Sequence, residues 1–178
     1  MLFSTGYSSE IGQITMASDG KSLVGLWIEG QKYFVGISGS MQEKADLNIF
    51  YNTKTWLDRY FDGLKPDISE ISLAPIGGEF RKAVWAILCS IPYGEVITYG
   101  DIAKKMAEKM NRSHMSAQAI GGAVGHNPIS IIIPCHRVVG TKGNLTGYAG
   151  GIDKKIKLLE HEGLDMSNFY VPSKGTAL

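Results

Sequence analysis

Between residues 4 and 35 the apolar positions come in short runs separated by turn residues: Ile11 to Met16, Asp19-Gly20, Leu23 to Ile28, Glu29-Gly30, then Tyr33 to Ile37. Asp-Gly between β-rich runs is a hairpin signal, so this pattern predicts antiparallel strands. From Leu47 to Phe61 the period turns helical, with Trp56/Tyr60 and Leu57/Phe61 as i,i+4 pairs and Gly63 as the stop. Lys65 to Gly78 is rich in turn residues and reads as a boundary. Beyond it Phe80, Val84, Ile87 and Leu88 mark one face of a helix that ends at Ile91-Pro92-Tyr93-Gly94.

Thr98-Tyr99-Gly100-Asp101 has the form of a capping box and opens a helix with Ile102, Ala103, Met106 and Met110 inward. A polar turn at Asn111 to His114 follows, and Ser116 caps a second helix over Ala117 to Val124. Helix, short turn, helix is the outline of a helix-turn-helix. The second helix is poor in side chains, Gln118 being its one long polar residue, and the Gly121-Gly122 pair costs it about 1–2 kcal/mol relative to alanines. Close approach of another backbone offsets such a loss, whether that backbone is internal or lines a narrow groove.

Asn127 to Gly140 is an apolar run, Ile129-Ser130-Ile131-Ile132-Ile133, that ends in Pro134-Cys135-His136-Arg137. A glycine-rich loop from Thr141 to Gly151 carries a single aromatic, Tyr148, and matches neither GxGxxG nor a Walker A. A last helix, Asp153 to Glu162, places Ile152, Ile156 and Leu159 inward and stops at Gly163. The pattern predicts an α/β (α+β) protein with an antiparallel sheet-plus-helix domain over 1–73 and a mostly helical domain with a helix-turn-helix over 74–171. A disordered tail is expected over 172–178.

Composition adds little to this, at 44% hydrophobic with no membrane-length apolar run. Met1-Leu2-Phe3 passes straight into polar Ser4-Thr5-Gly6, so no signal peptide or membrane partner is expected and the chain reads as intracellular and cytoplasmic. Charge adds more. Residues 1–80 hold six Lys/Arg against ten Asp/Glu, residues 81–157 eleven against four, and residues 158–178 one against three. The basic block is the one containing Cys135, which favours an anionic partner such as a nucleic acid backbone; solubilising lysines on exposed helix faces are the plainer alternative.

Cys89 and Cys135 make no disulfide framework, and no CxxC or HExxH spacing supports a metal site, so neither metal nor cofactor is expected. Cys135 beside His136 and Arg137 has the surroundings that favour a thiolate; a buried structural cysteine is the competing reading.

Pro134-Cys135-His136-Arg137-Val138, preceded by Asn127-Pro128 and followed by Gly147-Tyr148-Ala149-Gly150-Gly151, resembles the O6-alkylguanine-DNA alkyltransferase family, also called methylated-DNA–protein-cysteine methyltransferases. The resemblance covers about residues 74–165 and includes Tyr93-Gly94-Glu95-Val96-Ile97-Thr98-Tyr99 and His161-Glu162-Gly163. It implies repair of double-stranded DNA: the helix-turn-helix enters the minor groove, the alkylated guanine is rotated out, and Cys135 takes the alkyl group once, irreversibly. His136 takes the thiol proton, Glu162 holds the imidazole, and Tyr99 donates toward the guanine. Asn127 ties the second helix to the cysteine segment, Arg137 supports the site, Tyr148, Ala149 and Gly150 line the pocket, and Gln118 and Ala119 meet DNA. O4-alkylthymine is a further possible substrate. The protein would act as a monomer, associated with the nucleoid if bacterial.

The chain departs from the family where an arginine on the second helix usually replaces the extruded guanine in the stack; here Gln118 stands there. The Met106–Met115 loop is longer than usual, so Lys109, Arg112 or His114 could add backbone contacts, and the N-terminal zinc ligands of some relatives are missing. Two other functions compete: a lesion-binding alkyltransferase-like protein, whose relatives lack the cysteine, and an intracellular cysteine hydrolase using Cys135, His136 and Glu162.

Overall fold

A computed structural model describes residues 1–34 and 40–173. The chain divides into two compact units, Met1–Ile76 with Pro128–Ile132, and Gly77–Asn127 with Ile133–Leu178.

In the first unit, strands β1 (Phe3–Ser9), β2 (Gly12–Ser18), β3 (Leu23–Ile28) and β4 (Gln42–Glu43) form a sheet in the order β3-β2-β1-β4, antiparallel except for the β1–β4 pair. Asp19 builds the predicted turn by accepting from the N–H groups of Lys21 and Ser22, while Gly20 takes a positive φ of 100°. β1 is absent from the sequence prediction because its FSTGYSS run has almost no apolar alternation. Every residue of β3 is buried, so it shows no alternation either. The strand expected at Tyr33 to Ile37 lies partly outside the described residues; Tyr33 and Phe34 are in a turn.

Helix α1 (Asn48–Phe61) buries Ile49, Phe50, Thr53, Trp56, Leu57 and Tyr60, one face at helical spacing. Trp56 and Tyr60 stack with ring centres 5.6 Å apart. Lys65–Gly78 is a structured part of the chain: Asp67 caps a 3₁₀ turn, and Leu23 donates to Ser72 while Ala74 donates to Leu23.

The apolar run is built into this unit through Leu26, whose N–H donates to the Pro128 carbonyl and whose carbonyl accepts from Ser130. Ile131, 1% exposed, has φ +69°, a conformation that costs a β-branched residue about 1–3 kcal/mol. The Ile132 N–H donating to Ser130 closes that tight turn at 2.8 Å.

The second unit contains α2 (Glu79–Cys89), β5 (Ile97–Thr98), α3 (Tyr99–Lys109), α4 (Ala117–Gly125), β6 (Val138–Val139) and α5 (Ile152–His161). Thr98 caps α3 by accepting from the Asp101 N–H, but Asp101 turns its carboxylate to the Thr98 hydroxyl instead of the backbone. Ser116 caps α4 from the Ala119 N–H, as its position predicts. Helices α2, α3 and α4 pack on one another, and Trp85 of α2 donates to the Ala123 carbonyl of α4. No helix of the described residues is long and apolar enough to cross a membrane.

Candidate active site

Pro134 opens the site. Its ring fixes φ near the observed −80°, and with ψ 64° it is the centre of an inverse γ-turn closed by the Cys135 N–H donating to Ile133 at 2.8 Å. Cys135–Arg137 then forms one 3₁₀ turn leading into β6. β6 pairs in parallel with β5, Ile97 opposite Val138 and Thr98 opposite Val139. Tyr99 follows β5 directly, so this short ladder carries it to the cysteine segment from far away in sequence.

Cys135 is 4% exposed. The Asn127 amide nitrogen donates to the Ile133 carbonyl at 2.8 Å and to Cys135 Sγ at 3.1 Å. Burial pushes the thiol up from its ordinary pKa, while the Asn127 hydrogen bond and the charge of Lys155 pull the other way. The resting sulfur is therefore a thiol.

His136 is fully buried, and its Nε2 lies 2.6 Å from Glu162 Oε1. An ionised carboxylate only accepts, so Nε2 carries the proton and Nδ1 the lone pair. Nδ1 has no hydrogen-bond partner among the described residues. Burial lowers the imidazole pKa by more than Glu162 raises it, leaving the ring neutral and basic at Nδ1.

Burial alone would raise the Glu162 pKa, but hydrogen bonds and charges from His136 and Arg137 outweigh it and hold the carboxyl well below its usual range. Arg137 donates Nε to Oε2 at 2.8 Å and Nη2 to Oε1 at 3.0 Å, and the Gly94 N–H adds a bond to Oε2 at 3.1 Å. Because the imidazole is neutral, Arg137 supplies the balancing charge. Its Nη1 donates to the Ile91 carbonyl at 2.6 Å and its guanidinium covers the Tyr93 ring at 5.7 Å.

Local backbone chemistry accounts for the glycines around this group. Glu162 is the C-cap of α5: Gly163, at φ +82°, donates to Glu160 and Leu164 donates to Leu159, a Schellman turn that fixes where the carboxylate starts. Gly94, at φ +77°, occupies the third position of a turn closed by Glu95 donating to Pro92, and a Cβ there would lie 3.1 Å from the Glu162 carbonyl.

The Tyr99 hydroxyl lies 3.1 Å from the Thr146 carbonyl and 3.0 Å from the Gly147 carbonyl. Burial raises its pKa, so it is a protonated donor. A Cβ on Gly147 would come within 2.9 Å of that hydroxyl, and one on Gly150 within 2.7 Å of the Tyr148 ring. Tyr148 and Gly150 are buried and Ala149 is half-buried.

Gln118 and Ala119 lie elsewhere, on an exposed face of α4 with Ala117 and Gly122. A Cβ added at Gly121 or Gly122 would meet no atom within 4 Å, so internal packing requires neither glycine. Among the described residues no three His, Cys, Asp or Glu side chains cluster as a metal site would need.

One buried charge near the site escapes the sequence reading. Lys155 is completely buried, with Leu158 and Leu159, whereas Ile152 and Ile156, expected inward, are half-buried. Its neighbours Lys154 and Lys157 make the run look solvated. The signal was the spacing Ile152, Lys155, Ile156, Leu159, which puts Lys155 on the apolar stripe.

A mixed α+β protein whose helix-turn-helix shares a unit with a buried thiol, imidazole and carboxylate defines a class: a cysteine nucleophile attached to a nucleic-acid-binding motif. Residues 2–75 match the 6-O-methylguanine DNA methyltransferase ribonuclease-like domain and residues 79–164 the DNA binding domain of the same family. The chain belongs to the 6-O-methylguanine DNA methyltransferase family. It is 38% identical over 161 residues to the methylated-DNA–protein-cysteine methyltransferase of Haemophilus influenzae, covering 90% of this chain and 86% of that one. It is 42% identical over 154 residues to the Methanosarcina mazei protein of that name, covering 86% and 92%. The crystal structure of Mycobacterium tuberculosis OGT in complex with DNA superposes with a TM-score of 0.79 at 37% identity, over 94% of each chain.

Proposed function

We propose that this protein repairs double-stranded DNA by moving the alkyl group of O6-alkylguanine onto Cys135, once per molecule. The observation that carries this reading is the His136 imidazole, fixed by Glu162 so that a lone pair remains at the buried Nδ1, next in sequence to a thiol that accepts from Asn127.

Cys135 Sγ bonds to the alkyl carbon as the carbon–O6 bond breaks, and the bonding pair passes into the guanine. His136 Nδ1 takes the thiol proton across a water, Tyr99 gives a proton to the guanine as charge develops, and solvent carries the proton from His136 back to Tyr99, so none is gained or lost. The products are a thioether and an unmodified guanine. A thioether resists hydrolysis, so the protein is consumed.

A guanine inside a duplex cannot present its alkyl carbon for in-line attack, and Cys135 is enclosed, so the base has to leave the stack. The exposed small residues of α4 suit a minor groove about 6 Å wide. Gln118 fills the position of the extruded base, with Tyr148, Ala149 and Gly150 around the guanine and Arg137 and Asn127 holding the site. Acting on chromosomal DNA places the protein in the cytoplasm, on the nucleoid if the source is bacterial.

Intact mass after mixing with a duplex bearing O6-methylguanine tests this. One added methyl on Cys135, absent from Cys135→Ala, is the expected result. Lesion binding with an unmodified cysteine would instead indicate a damage sensor, and catalytic turnover of a small ester a hydrolase.

A further inference from the structure

Among the described residues, Lys155 is a buried cation that the chemistry above leaves unused. Its exposure is 0%, and its ammonium donates to the Val138 carbonyl at 2.5 Å and the Thr146 carbonyl at 3.0 Å. It makes no ion pair among the described residues, and a buried cation held only by neutral carbonyls is costly, so the fold retains it against that cost. Packing alone would be served better by leucine or methionine.

Its two partners are informative. Val138 follows the turn that carries Cys135, and the Thr146 carbonyl also accepts from Tyr99. One ammonium thus links the strand that follows the nucleophile to one of the two carbonyls that accept from Tyr99. An ammonium has three donors, and these carbonyls occupy two. Lys155 lies on α5, the helix whose C-cap is Glu162, so both stand on the same scaffold two turns apart.

We infer that Lys155 is a positioning residue for alkyl transfer: it ties the strand after the Cys135 turn to the Thr146 carbonyl that holds Tyr99, and its charge stabilises the sulfur as it ionises. The inference rests on the alkyl-transfer reading above. Electrostatics agree with the geometry, since the Lys155 charge favours the Cys135 thiolate and burial brings the ammonium down to about 8. The cation is then most effective at and below neutral pH and fades on the alkaline side.

Lys155→Met keeps an apolar stem without charge, and Lys155→Arg keeps the charge. For each, three quantities are measured: transfer rate at saturating O6-methylguanine duplex, duplex Kd, and the rate of Cys135 alkylation by iodoacetamide at pH 7, where Lys155 is charged. Lys155→Met should bind the duplex as the parent does and both transfer and alkylate about tenfold more slowly; Lys155→Arg should restore the alkylation rate. A folded Lys155→Met with the parent transfer and alkylation rates overturns the inference. So does an equal loss of transfer in both variants with no change in alkylation rate, because that is a packing effect. Should both variants fail to fold, the unaltered protein decides: with ¹³Cε-labelled lysine to locate the Lys155 titration, the alkylation rate of Cys135 should rise less than tenfold per pH unit through it, and an unbroken tenfold rise per unit overturns the inference. Failure of the parent to accept a methyl from DNA would instead sink the functional reading, leaving the iodoacetamide rate to judge Lys155.

Discussion

Asn127 uses one amide nitrogen for two acceptors, the Ile133 carbonyl and the Cys135 sulfur, and both are buried. Truncation to alanine leaves both without that donor. Asn127→Ala should cost about 1–3 kcal/mol in denaturant unfolding and slow transfer at saturating DNA. Unchanged transfer would mean that the contact with sulfur is incidental. A second prediction at this scale concerns pH. The folded His136 pKa is depressed by burial, so below about 6.5 the unfolded chain binds the extra proton more readily than the folded one. The stability provided by a neutral His136 is therefore complete above that pH and lost as pH falls toward the folded value. Glu162, also depressed, adds its own loss below about 4.3. Melting temperature should fall from pH 7 to pH 5, and His136→Gln should flatten that fall. Lys155 shows the limit of reading residues from sequence: its run of lysines looks like a solvated face, and only spacing argues otherwise, because burial of a charge depends on carbonyls that long-range folding supplies.

At the scale of elements, α4 presents an exposed face of small residues. Gly122 is exposed and a Cβ there meets nothing within 4 Å, so Gly122→Ala should stabilise the free protein by about 0.5–1 kcal/mol while weakening affinity for duplex DNA. Stability and binding moving together would refute a groove-facing role. Gln118→Arg should tighten duplex binding and speed repair, since arginine adds charge and a stacking plane; no change in either places Gln118 away from the extruded base. The caps of α3 and α4 were legible because Thr98 and Ser116 act on backbone within three residues. β1 was not, since its stability comes from pairing on both sides by β2 and β4, which a polar seven-residue run does not reveal. The site itself was legible as a set of motifs. Its wiring through Gly94 and Ile91 was not, because those contacts are made by backbone groups whose identity leaves no mark on composition.

Across the whole molecule, the basic surplus of residues 81–157 divides into two uses. Of its eleven Lys/Arg, Arg137 and Lys155 are buried and committed to Glu162 and to carbonyls. Lys104, Lys105, Lys109 and Arg112 are all exposed and supply charge for phosphates, Lys104 after leaving its 3.8 Å pair with Asp101. With about four phosphate contacts, duplex affinity should drop about a hundredfold between 50 and 200 mM salt. A flat salt response would show that this charge serves solubility alone.

The enclosure of Cys135 also bears on how long the protein lasts before it meets damage. A reagent that works once and is not regenerated loses its value if peroxide, disulfides or stray electrophiles reach it first. Small oxidants attack the thiolate, and a buried cysteine held as a thiol by burial offers them little of it. The same enclosure that requires the damaged base to leave its helix thus slows the loss of the unspent molecule to oxidants.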